Sequence, residues 1–202
     1  FHPDPSVKRQ SGLLTPEIGD NETLGESLYL PYFFVISDDK DITLKPRLFN
    51  DNKLILQTEY RQLTKNSLTM VDSSITTGHA SKKNGKKATR SHLFANTYID
   101  LDYKEFISST LEINYEKVSN DNYLALFQSI RSPIINRSDT LESSIKLDLG
   151  HENYDFEASF LRYEFLSGKN SDRYTYVMPS YGYSKNFFLR DVNGSFNFGS
   201  SG

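Results

Sequence analysis

The sequence predicts an all-β protein, an antiparallel transmembrane β-barrel segment holding about eleven strands of a larger barrel. Three observations carry this expectation. Apolar and polar residues alternate with period two along most of the 202 residues. The connections between the alternating segments are short and long by turns. Composition joins 37% hydrophobic with 13% aromatic residues, 14 Phe and 13 Tyr without Trp. That balance suits a polar-surfaced sandwich, or a barrel in which only alternate residues need be apolar.

The strands follow in order. "SGLLTPEIG" (11–19) and "LYLPYFFVIS" (28–37) read as neighbouring strands, and each carries a proline in its body. Proline has no N–H for a ladder, so Pro16 and Pro31 mark an edge, a bulge or a break. A third, Pro46, follows in the next strand, where a bulge at the barrel rim is expected. In "LILQTEYRQL", Ile55, Gln57, Glu59 and Arg61 alternate with Leu54, Leu56, Thr58 and Tyr60. In "HLFANTYIDLDY", Leu93, Ala95, Thr97 and Ile99 oppose His92, Asn96 and Asp100. "TLEINYEKV", "SIKLDLGHE", "DFEASFLRY" and "VNGSFNF" repeat the rhythm. No amphipathic helix pattern of similar length competes, and no apolar run approaches the roughly 20 residues of a membrane helix.

Even-numbered connections such as "SDDKD", "TKNS", "YKEF" and "HENY" are tight. Most odd ones are long and polar, for example "TTGHASKKNGKKATRSH" and "SNDNYLALFQSIRSPIINRSDT". Antiparallel strands alternate ends, so the long loops gather at one end and the tight turns at the other. Outer-membrane barrels have this asymmetry, whereas Greek-key sandwiches have no cause for it. A soluble all-β glycan-binding domain stays open as an alternative, as does another outer-membrane barrel such as a porin or receptor.

Net charge of −3 argues against general nucleic-acid binding, and zero Cys excludes disulfides and thiolate metal sites in this stretch. The chain begins at Phe1 without a signal segment and reads as a piece of a longer protein. The four histidines, His2, His79, His92 and His151, show no metal-ligand spacing, and no Gly-x-Ser-x-Gly elbow occurs. Catalysis, cofactors and metals are not expected. Gln57, Glu59 and Arg61 share one face and should point into the lumen, where Glu59 and Arg61 can pair or touch a plug. The basic stretch 79–92, with Lys82, Lys83, Lys86, Lys87 and Arg90, reads as a solvated loop.

Residues 5–63 carry a family resemblance. Lys8 and Arg9 precede Ser11–Leu14 and Pro16, Leu30 to Phe33 follow, then Asp41, Thr43, Pro46 and Arg47, and finally Glu59, Tyr60, Arg61 and Leu63. This order resembles the start of the barrel in the lipopolysaccharide-assembly outer-membrane protein family LptD, also called the organic-solvent-tolerance family. Leu13 stands where that family usually has Phe, and Phe33 and Phe34 where it has Tyr and Trp.

The resemblance implies insertion of lipopolysaccharide into the outer leaflet of a Gram-negative outer membrane. It implies a periplasmic jelly-roll domain ending within residues 1–10 and a barrel from 11 onward. Its partners are a plug lipoprotein, LptE, and the periplasmic lipopolysaccharide-transport bridge that reaches the barrel through the jelly-roll. It assigns Pro16 and Pro31 to a lateral gate. Lys8, Arg9 and the basic loop then become candidates for contact with lipopolysaccharide phosphates.

Overall fold

The computed structural model describes residues 9–20, 24–50, 53–80, 87–126, 132–135, 139–167, 172–189 and 194–202. They form a single 13-stranded antiparallel sheet. Its strands are β1 (Gly12–Leu13), β2 (Glu17–Gly19), β3 (Ser27–Tyr29), β4 (Tyr32–Ser37), β5 (Lys40–Phe49), β6 (Leu54–Leu63), β7 (Ser67–Ala80), β8 (Lys87–Asp100), β9 (Ser108–Val118), β10 (Thr140–Gly150), β11 (Tyr154–Phe165), β12 (Tyr174–Leu189) and β13 (Gly194–Ser201). A four-residue helix, α1 (Tyr123–Leu126), lies between β9 and β10. The main path runs β1-β4-β5 and then in chain order to β13, with β2 and β3 beside it. Eleven strands therefore follow one another, as the sequence predicts. The first two expected strands each break in two, β1 from β2 and β3 from β4, and both breaks fall at prolines.

Connections 38–39, 64–66, 101–107 and 151–153 meet at one end of the sheet. Connections 20–26, 50–53, 81–86, 119–139 and 166–173 join strands at the other, so the longest connections gather there, although 50–53 is short and 101–107 at the first end has seven residues. Two expectations are corrected. The basic loop is not 79–92: His79 and Ala80 belong to β7, and Lys87 to His92 belong to β8, because alternation carries the hairpin past the polar residues. Pro46 is not at a rim bulge, since β5 and β6 keep one register from Lys40↔Gln62 to Leu48↔Leu54 straight through it.

The two faces of the sheet have inverted polarity. Asp41, Thr43, Gln57, Glu59, Asp72, Ser74, Thr76, Glu116 and Ser144 are buried. Ile36, Ile75, Leu93, Ile145 and Phe160 are exposed, Ile145 to 49%. A single-layer sheet buries side chains on the face toward which it curls, so the polar face is the inner one. A water-soluble sheet places its residues the other way round.

At the long-loop end, described residues of the β9–β10 connection pack onto the sheet. Tyr123, Leu124, Ile134 and Ile135 pack with Leu24, Phe49, Ile55, Phe94 and Val118 in a small apolar core. Asn120 starts the turn: its carbonyl accepts from the Tyr123 amide at 2.9 Å and its side-chain oxygen from the Asn122 amide at 3.1 Å. Such local bonds are the reason Asn favours helix starts.

Candidate functional site

The first candidate is the edge formed by β1 to β5. In an antiparallel ladder, a hydrogen-bonded pair exchanges two bonds. Leu14 donates its amide to the Pro31 carbonyl at 2.9 Å, and Pro31 has no N–H to return. Leu30 donates to the Pro46 carbonyl at 3.1 Å, and Pro46 likewise returns nothing. Two adjacent ladders thus hold half-made pairs at one level.

The register shows how the strands accommodate this. Tyr29↔Arg47 and Tyr32↔Leu44 lie in the same frame, so β3 and β4 are one strand interrupted at 30–31 without slippage. Between β1 and β2 the frame does slip, from Leu13↔Tyr32 to Glu17↔Tyr29. Thr15 and Pro16 therefore share the place opposite Leu30, a bulge at the outermost strand. Pro16 is exposed there and Pro31 is buried. Only two residues of β1, Gly12 and Leu13, pair with β4. The Ser11 hydroxyl supplements them by accepting from the Val35 amide at 2.9 Å.

The second candidate is the polar inner wall beside this edge. Arg61 Nε lies 2.9 Å from Asp41 Oδ1 and 3.6 Å from Glu59. Arg9 reaches the other oxygen of Asp41 and stands over the Phe33 ring, 5.5 Å from its centroid. Lys45 pairs with Glu59. These charges alternate along neighbouring strands, so each buried carboxylate meets a cation, which is what its burial requires. Arg47 donates to the Ser27 hydroxyl at 3.2 Å and covers the Tyr29 ring.

A further cluster lies one strand on. Gln57 Nε2 donates to Asp72 Oδ1 at 2.8 Å. His92 Nε2 is 3.2 Å from Asp72 Oδ2, and both atoms are buried without a hydrogen bond of good geometry. His92 Nδ1 is 2.8 Å from the Ser74 hydroxyl, which also bonds to the Tyr123 hydroxyl. The His92 ring stacks on Phe94, with centroids 4.3 Å apart. Ser, His and Asp in this order resemble a hydrolytic triad. Here the serine is buried and bonded on both sides, so it has no open face for a substrate. The arrangement ties α1 to the wall.

Sequence reasoning placed Gln57, Glu59 and Arg61 on the inner face, and the structure puts Gln57 and Glu59 there as buried groups. It missed Asp72, Ser74, His92 and Tyr123, because pairing across strands depends on register. Arg90 sits within β8, opposite Thr76, with one guanidinium nitrogen buried and without a hydrogen-bond partner. Lys87 opens β8. Lys8, Lys82, Lys83 and Lys86 lie outside the described residues.

No protein-family model matches the chain. Curated relatives do. The LPS-assembly protein LptD of Idiomarina loihiensis is 25% identical over 184 residues, 91% of this chain and 23% of that protein. The chain is similar to LptD. LptD of Ralstonia nicotianae is 42% identical over 57 residues, 28% of this chain and 7% of that protein. LptD of Pseudomonas syringae pv. tomato is 42% identical over 60 residues, 30% of this chain and 6% of that protein. The chain thus spans less than a quarter of the length of these LptD relatives.

Proposed function

We propose that this chain is the first part of an outer-membrane β-barrel that assembles lipopolysaccharide in the outer leaflet, with the edge at β1 to β4 serving as a lateral gate. The observation that carries the reading is the pair of half-made ladders, Leu14 with Pro31 and Leu30 with Pro46, at the margin of a sheet of inverted polarity. Each absent bond forgoes roughly 0.5–1.5 kcal/mol. That lowers the cost of parting strands where a lipid must pass sideways. The similarity to proteins named for LPS assembly supports the same reading.

Residues 1–10 then end a periplasmic jelly-roll or linker, and 11–202 form barrel. The long loops face the cell exterior and the tight turns the periplasm. Lys8 and Arg9 stand where phosphorylated lipid arrives from the transport bridge. Gln57, Glu59 and Arg61 form a lumen wall against which LptE packs, and Lys82, Lys83, Lys86, Lys87 and Arg90 meet lipopolysaccharide phosphates. The barrel is a passive conduit rather than an enzyme.

A photoreactive residue in place of Leu13 or Tyr32, in the full-length protein in living cells, tests the gate. Lipopolysaccharide adducts at these positions are expected. Adducts at neither, with the protein present in the outer membrane, contradict a gate at this edge.

A further inference from the structure

On the exposed face of β9 to β12, far from the proline edge, a groove of about 340 Å³ is walled by Ile113, Tyr115, Ile145, Phe160, Tyr176 and Met178. Its cause is a bulge. The β11–β12 frame runs to Ser159↔Ser180 and resumes at Leu161↔Val177, so Met178 and Pro179 share the place opposite Phe160. A bulge bends its strand and re-aims the side chains beside it. Here it leaves Met178 exposed along the groove.

One cation lies in this apolar wall. Arg162 pairs across the ladder with Ser143, and its Nη2 donates to the Ser143 hydroxyl at 3.2 Å. Ser143 is itself fixed, accepting from the Glu116 amide at 3.2 Å. Arg162 Nε is buried and has no hydrogen-bond partner, and among the described residues no carboxylate lies within ion-pair distance of the guanidinium. The nearest acidic residue along β11, Glu164, is already engaged by Arg173 at 2.7 Å and by Lys117 at 3.3 Å. Arg173 also takes Asp121 at 2.6 Å. Glu164 is thus taken up by Arg173 and Lys117, and among the described residues Arg162 makes no ion pair of its own.

The order along the strands gives the groove a direction. In every strand the polar row lies nearer the long-loop end than the apolar row: Tyr115 beyond Ile113, Ser143 beyond Ile145, Arg162 beyond Phe160 and Tyr176 beyond Met178. Tyr174 and Tyr176 stack with centroids 6.3 Å apart at that level, as aromatic side chains do at a membrane interface.

We infer that this groove binds one phosphorylated lipid of the leaflet on the long-loop side, with an acyl chain along Ile145 and Phe160 and its phosphate on Arg162. A guanidinium recognises phosphate oxygens by paired N–H donors, and the low polarity of the wall strengthens that contact. Apolar grooves favour alkyl chains for the same reason that they repel water. The site rests on the membrane-barrel reading but not on the gate, and it lies on the wall opposite the proline edge in strand order.

The test uses the full-length protein, purified in non-ionic detergent and examined by native mass spectrometry. The probes are phosphatidic acid, a diacylglycerol with the same chains, and inorganic phosphate. Phosphatidic acid should bind and diacylglycerol should bind less. Arg162→Gln should weaken phosphatidic acid roughly tenfold or more, the scale of a hydrogen bond to a charged group. Ile145→Trp, which fills the groove and leaves Arg162 in place, should weaken it as well, while Leu93→Trp elsewhere on the same face should not. Inorganic phosphate should fail to displace the lipid at equal concentration.

Wild-type affinity in both Arg162→Gln and Ile145→Trp, or displacement by equal inorganic phosphate, overturns the site while the barrel reading stands. A protein that stays monodisperse in buffer without detergent overturns the barrel reading, and this site with it.

Discussion

Pro46 illustrates how a single residue sets the strength of a ladder without disturbing its geometry. It accepts from Leu30, returns nothing, and leaves the β5–β6 register unbroken. Pro46→Val supplies the absent donor on a side chain that suits a strand. Amide exchange across residues 27–37 should slow roughly two- to tenfold, following the ~0.5–1.5 kcal/mol of one added bond; unchanged exchange contradicts the half-pair. On the inner wall, Asp72→Ala removes an acceptor for Gln57 and the carboxylate beside His92 in a fully buried site. A loss of about 1–3 kcal/mol is expected, read as a lower thermal unfolding midpoint of the detergent-solubilised protein. Period two alone put Gln57, Glu59 and Arg61 on one face of their strand. The Asp72–His92–Ser74 cluster was not legible, since His92 stands next to a basic loop in sequence and only the β7–β8 register brings it opposite Ser74.

The segment around Asp121 and Tyr123 carries two groups shifted from their ordinary values. Burial pushes the Tyr123 phenol up from 10.0 to about 12, with the Ser74 bond opposing. A folded-state value raised in this way means that docking of α1 is favoured fully below pH 10 and is lost as pH rises toward about 12. A phenolate absorbance titration should therefore show Tyr123 lagging most of the other tyrosines, and Ser74→Ala should leave it lagging. At the acid side, the Arg173 guanidinium bonded to Asp121 holds that carboxyl below its usual 3.8. The contribution is present at neutral pH and fades as pH falls below 3.8. Limited proteolysis within 119–139 should accelerate at both extremes and not between them. This element was poorly legible in sequence. "SNDNYLALFQSI" contains too short an apolar run to announce a helix, and its burial comes from Phe49, Ile55 and Phe94, distant in the chain.

For the whole molecule, the order of eleven strands and the gathering of the longest connections at one end were legible because both follow from alternation and turn length. The breaks at 14–16 and 30–31 were visible as prolines, but their alignment into one level needed the register of three ladders. The bulge at Pro179 that opens the groove at Arg162 was hidden for the same reason. Inverted polarity makes its own prediction. Leu93→Arg on the exposed face should reduce membrane insertion, with a cost of ~2–4 kcal/mol if it sits at mid-membrane, whereas Asn96→Lys on the inner face should be tolerated. Equal tolerance of both contradicts a lipid-facing outer wall. The most direct test of the gate is the double variant Pro16→Val, Pro31→Val in the full-length protein in cells, scored by outer-leaflet lipopolysaccharide and by exclusion of large hydrophobic antibiotics. A tightened edge predicts less surface lipopolysaccharide and a leakier outer membrane at normal protein level; full outer-membrane integrity in that variant contradicts it.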